Sequence, residues 1–139
     1  MKSTCPLISV MRNMLLVFVI LAFSAVFSGC LGPATPKVKT YAVSDITTTS
    51  AVLNGEVTDD GGSALTIRGF KYAPVNPPFN GGVDVFNDGG VGFYSSMVTG
   101  LDPGTTYYVQ AYAVNSAGGS QGEVVSFTTS DAVPDSDIK

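Results

Sequence analysis

Between residues 37 and 129 apolar and polar side chains alternate with a period of two, and turn residues break the runs roughly every 8 to 15 positions. Alternation of this kind puts every second side chain on one face of an extended strand. On a helix it would scatter apolar groups around the whole circumference. The segment 50–58 is the cleanest case, with Ala51, Leu53, Gly55 and Val57 on one face and Val52, Asn54, Glu56 and Thr58 on the other. Glu56 marks the second face as the wet one. Strands with one dry face must close over each other, so the chain is expected to form a single all-β sandwich of two sheets.

Seven strands are expected. The first covers 38–46 and the second 50–58, with Asp59-Asp60-Gly61-Gly62 turning the chain after it. The third covers 65–73. There Phe70 and Tyr72 share a face opposite Leu65 and Ile67, and a bulge at Gly69 would turn both pairs inward; the pattern leaves this open. Residues 83–87 read as a short edge strand after a Pro-rich connection, and Tyr94, Ser96 and Val98 as the inner face of the next strand. The last two strands are 105–115 and 123–129, joined by a Gly/Ser-rich loop at 116–122, with Tyr107, Val109, Ala111, Ala113, Val125 and Phe127 facing inward.

The run Leu101-x-Pro103-Gly104-Thr105-x-Tyr107-x-Val109-x-Ala111-x-Ala113-x-Asn115 resembles the corner between the fifth and sixth strands of fibronectin type III domains. The segment 124–129 is similar to their last strand, and 47–57 to the second strand of their bacterial branch. Together these cover about 90 residues, nearly all of the chain after Cys30. The resemblance implies a seven-stranded immunoglobulin-like sandwich. It also implies a structural role for Leu101, Pro103, Gly104 and Tyr107, with the Tyr107 hydroxyl reaching a backbone group a few residues upstream. Animal members carry a core Trp where this chain has Gly55, so Phe70, Tyr72, Tyr94 or Tyr41 must fill that volume.

The N-terminus reads as an address. Lys2 and Arg12 precede an apolar run of 14 residues, 14–27, interrupted only by Ser24 and followed by Ser28-Gly29-Cys30. A basic start, a short apolar stretch and a small-residue boundary make a secretory signal, and the run is short for a bilayer span of about 20 residues. Val26-Phe27-Ser28-Gly29-Cys30 resembles the lipobox of prokaryotic lipoproteins, with Phe27 where Leu is usual. That resemblance implies a signal at 1–29, lipid attachment at Cys30, and a lipid-anchored, extracytoplasmic place in the cell envelope. An ordinary cleaved signal and a short uncleaved anchor are the competing readings. Met11 is the expected true start. Residues 30–36 form a tether with a reach of about 20 Å, and 130–139 an acidic, disordered tail.

Composition narrows function mainly by exclusion. The chain is 45% hydrophobic and 13% charged, too apolar for wholesale disorder. It has no His, which removes the commonest general base and zinc ligand. From Cys30 onward 5 basic residues face 11 acidic ones, a net of −6 with no basic cluster, so nucleic acid is not an expected partner. Asp59, Asp60, Asp84 and Asp88 stand in turn contexts that explain them better than acid–base chemistry. The spacing of Asp84, Asn87 and Asp88 fits no calcium loop. No enzyme activity, cofactor or metal is expected. What remains is a lipid-anchored module for protein or polysaccharide contact, with Tyr108, Tyr112 and Val124 as the candidate surface. A structural spacer or envelope-maintenance subunit without its own ligand is the alternative, and an accessory of glycan-active machinery a weaker one.

Overall fold

A computed structural model of the chain describes residues 32–78 and 80–133. The expected signal segment, Cys30 and residues 134–139 of the expected tail lie outside these residues. Eight strands form: β1 (Lys37–Thr40), β2 (Ser50–Asp59), β3 (Ile67–Ala73), β4 (Val83–Asn87), β5 (Gly92–Thr99), β6 (Thr106–Asn115), β7 (Gly118–Gln121) and β8 (Val125–Thr128). They make two antiparallel sheets, one ordered β1-β2-β5 and the other β4-β3-β6-β7, with β8 also on β6. Among the described residues no helix is long and apolar enough to cross a membrane.

The expected inner faces close on each other. Ala51, Leu53 and Val57 of β2 and Tyr94 and Val98 of β5 meet Phe70, Tyr107, Val109, Ala111, Ala113 and Phe127 of the other sheet, all buried. β3 runs without a bulge, in unbroken register from Ile67 opposite Val114 to Ala73 opposite Tyr108. Phe70 therefore points inward, Ile67 shares the outer side, and Leu65 packs on the core from the loop before the strand. Gly69 is required by proximity instead: a Cβ there would stand 2.2 Å from the Val85 carbonyl oxygen on β4. Arg68 lies buried under the 88–90 loop, donating to the carbonyls of Asp88 and Gly90, with its guanidinium 4.6 Å from the centre of the Tyr94 ring.

Phe70 occupies the volume left by Gly55. A Cβ on Gly55 would come within 2.9 Å of Phe70 Cε1 and 3.1 Å of Ala111 Cβ, and the Phe70 ring packs 4.8 Å from that of Tyr94. Tyr41, one of the four expected fillers, takes no part. It lies on the outer side, its hydroxyl donating to Glu56 at 2.6 Å.

Three expectations about the strands are corrected. The first strand ends at Thr40, not 46; beyond it Tyr41 donates its amide to the Asn54 carbonyl and Ser44 bridges to Val52, while Asn54 Nδ2 donates to the Ala42 carbonyl at 2.9 Å. The 116–122 loop is not all loop, because 118–121 add to β6 as β7, which makes eight strands instead of seven. The final strand, expected over 123–129, is shortened to 125–128, with 122–124 between β7 and β8. In that gap Thr40 of the opposite sheet intrudes, and its Oγ1 accepts the Ala111 amide at 3.0 Å. A Cβ on Gly122 would lie 2.5 Å from that oxygen, so a glycine there allows β1 to press in.

Candidate functional site

The corner residues come first because they position everything after β5. Leu101 and Tyr107 are buried, and Gly104 has φ 59°, the left-handed conformation that glycine adopts without strain. The amide of Asp102 donates to Tyr107 Oη at 3.0 Å, five residues upstream in the chain. Thr129, unnoticed in the sequence, completes the corner: its hydroxyl donates to the Asp102 carbonyl at 2.6 Å and accepts the Thr105 amide at 2.9 Å. These side chains hold the fold.

The outer face of the β4-β3-β6 sheet carries the expected aromatic surface, and it is largely committed to itself. Tyr112 is only 9% exposed. Burial chiefly, then the charge and hydrogen bond of Asp84, raise its hydroxyl above the ordinary tyrosine range. Asp84 also pairs with Lys71 at 3.3 Å, and Gln110 Nε2 donates to the Gly122 carbonyl at 2.7 Å. Tyr108 is half-buried, opposite Ala73 and Ser126. Val124 sits in the break between β7 and β8 and so does not extend a strand beside the tyrosines. Reading Tyr108, Tyr112 and Val124 as an exposed surface is thus corrected at Tyr112, which is buried with its hydroxyl taken by Asp84.

The opposite outer face is different. On β5 the residues between the inward Tyr94, Ser96 and Val98 point out, and two of them are large and apolar: Phe93 is 73% exposed and Met97 68%. Phe93 stands opposite Glu56 and Met97 opposite Val52 on β2. Tyr41, 36% exposed, brings its ring centre to 5.5 Å from that of Phe93. Lys39, opposite Glu56 on β1, rims this patch. Past the edge of β5, Val91 and Phe86 are also exposed. A groove of about 360 Å³ lined by Val38, Lys39, Thr40, Tyr41 and Glu123 opens beside it.

Two of the four carboxylates expected in turns act there: Asp59 and Asp60 accept the amides of Gly61 and Gly62 through their side chains at 2.8 and 2.9 Å. Asp84 is a correction, since it lies within β4 and pairs across the strands with Lys71. Asn87 donates to the Ser95 carbonyl and Ser96 hydroxyl of β5, both at 3.0 Å. Among the described residues no group of three or more acidic, Cys or His side chains gathers to hold a metal ion.

No protein-family model and no curated protein matches the sequence. Solved structures do. The sixth fibronectin type III domain of human fibronectin type III domain containing protein 3 is 28% identical, covering 76% of this chain and 93% of that one at a TM-score of 0.55. A human fourth FNIII domain is 20% identical over 84% and 95% of the two chains, at 0.56. The sensor domain of the anti-sigma factor RsgI4 from Pseudobacteroides cellulosolvens is 22% identical over 71% and 98%, at 0.55. The fold is accordingly a fibronectin type III-like sandwich.

Proposed function

We propose that this chain is a non-enzymatic, lipid-tethered module of the cell envelope that works by binding a protein partner on the outer face of the β1-β2-β5 sheet. The observation that carries this reading is the exposure of Tyr41, Phe93 and Met97 on one face, Tyr41 packed on Phe93 and Met97 two outward positions further along β5. Large apolar side chains left in water on one sheet face, beside Lys39 and Glu56, are the mark of a contact surface. Burying Phe93 and Met97 would stabilise a complex by about 1.5–3 kcal/mol each. Phe and Met also favour protein over polysaccharide, since Phe offers a sugar hydroxyl no side-chain donor or acceptor and Met only a weak one.

Support for the envelope setting comes from the signal-like N-terminus with Cys30 at its end, and from likeness of fold to a sensor domain. The groove beside Tyr41, with Lys39, Thr40 and Glu123 on its walls, is the one feature that favours a glycan instead.

Two experiments divide these readings. In detergent-phase partitioning of whole-cell extracts, Cys30→Ala should move the protein into the aqueous phase; retention in the detergent phase would refute the thiol-linked tether. The Phe93→Ser, Met97→Ser double variant should lose its partner in quantitative co-purification from envelope fractions while melting at the same temperature. If polysaccharide retardation in affinity gels is lost instead, the partner is a glycan. If nothing is lost, the chain is a spacer.

A further inference from the structure

The edge of β5 presents main-chain groups whose direction can be read from its neighbours. Tyr41 donates its amide to the Asn54 carbonyl, and Val52 exchanges both of its main-chain bonds with Ser44, so the polar groups of Val52 and Asn54 face β1. In an antiparallel ladder a residue turns its N–H and C=O the same way. Met97 and Ser95, which stand opposite Val52 and Asn54, therefore turn theirs away from β2, and Phe93 follows by alternation. Among the described residues only the Ser95 carbonyl of this set finds a partner, Asn87 Nδ2.

Monomeric proteins usually guard such an edge with Lys, Pro, a bulge or a very short strand. β5 has none of these: it is 8 residues long, GFYSSMVT, carries no charge, and pairs with β2 in unbroken register. We infer that β5 pairs with β5 of a second copy of this chain, antiparallel about a two-fold axis at Ser95. That register sets Ser95 against its own counterpart and places Phe93 opposite Met97 of the copy, twice, on the outer face. Cross-strand aromatic and sulfur-bearing side chains attract each other. Sliding the register by two residues would put Phe93 opposite Ser95 or Thr99 and forfeit both contacts. The lack of charge leaves nothing to repel a like strand, and two-fold pairing closes on itself without building a fibre.

The two three-stranded sheets become one continuous sheet, with the apolar outer faces of both copies joined into one stripe. Asn87 is the guard of this edge: each copy gives up its bond to the Ser95 carbonyl when the main-chain bond forms. The pairing needs neither lipid nor the proposed partner, and leaves the outer face open to that partner.

Charge reversal at the axis tests it. Full-length Ser95→Lys and Ser95→Asp, each purified from membranes in mild detergent, should dimerise at least tenfold more weakly than wild type by sedimentation velocity, with unchanged melting temperatures. Mixed together they should recover the dimer as a heterodimer, because the two substituted side chains then face each other. Asn87→Ala should strengthen wild-type pairing severalfold. As a direct readout, Ser95→Cys treated with a short bismaleimide should yield a covalent dimer of the chain, and Ser126→Cys on β8 should not. The inference is overturned if wild type is monomeric throughout, if the mixture fails to recover a heterodimer, or if Ser126→Cys couples as well as Ser95→Cys.

Discussion

Asp102 shows how much of the corner rests on single hydroxyls. Tyr107 satisfies its amide and Thr129 its carbonyl, so both main-chain polar groups of one residue are held by side chains from β6 and from just beyond β8. Tyr107→Phe keeps the buried ring and loses the acceptor, and should cost about 1 kcal/mol in urea unfolding. Gly55→Ala tests packing at the other sheet: the added methyl meets Phe70 Cε1 at 2.9 Å. Because Phe70 is fully buried and cannot swing away, the expected loss is about 1–3 kcal/mol, read from the same unfolding curves. Tyr107 was legible through the resemblance of the 101–115 run to a fibronectin type III corner, which implies a backbone partner a few residues upstream. Thr129 was not, since its partner Asp102 is 27 residues distant and one Thr among many carries no local sign.

Among the elements, β2 and β6 follow their alternation almost residue by residue, because each is buried on one face and a shift by one would expose the core. The strands that departed are those where tertiary contacts decide. β1 stops when Asn54 takes over its bonding, β7 forms from Gly and Ser residues of weak propensity because β6 offers an open edge, and β8 restarts past Thr40. On β5 the alternation marks the inward Tyr94, Ser96 and Val98, whereas the outward Phe93 and Met97 are signalled only by apolar residues on both faces of an uncharged strand.

β5 also carries a pH dependence. Burial pushes the Tyr94 hydroxyl up to about 12, against the pull of Arg68. An unfolded tyrosine ionises near 10. Below about 10 both states are neutral and stability is full; between about 10 and 12 the unfolded chain ionises first, so stability falls as pH rises. Unfolding free energies at successive alkaline pH values should decline through this window. In Tyr94→Phe the decline should be shallower, with the remainder owed to Tyr72 and Tyr112, which burial also raises, and to Tyr41, raised by its hydrogen bond to Glu56.

At the scale of the molecule, two sheets over one dry core give two outer faces of different character. The face of β3, β4 and β6 spends its polar groups on itself through Asp84, Lys71, Tyr112 and Gln110. The face of β1, β2 and β5 leaves Phe93 and Met97 in water. The sandwich was legible from period and turns alone, whereas this asymmetry depends on which side chains find partners across strands, and no single segment records it. The most direct measurement places a photoreactive phenylalanine analogue at Phe93 or at Tyr108 on intact cells, followed by mass analysis of the adducts. A second protein joined at position 93 and absent at position 108 is the expected result. Adducts at 108 alone, or at neither position, would contradict the assignment of binding to the β1-β2-β5 face.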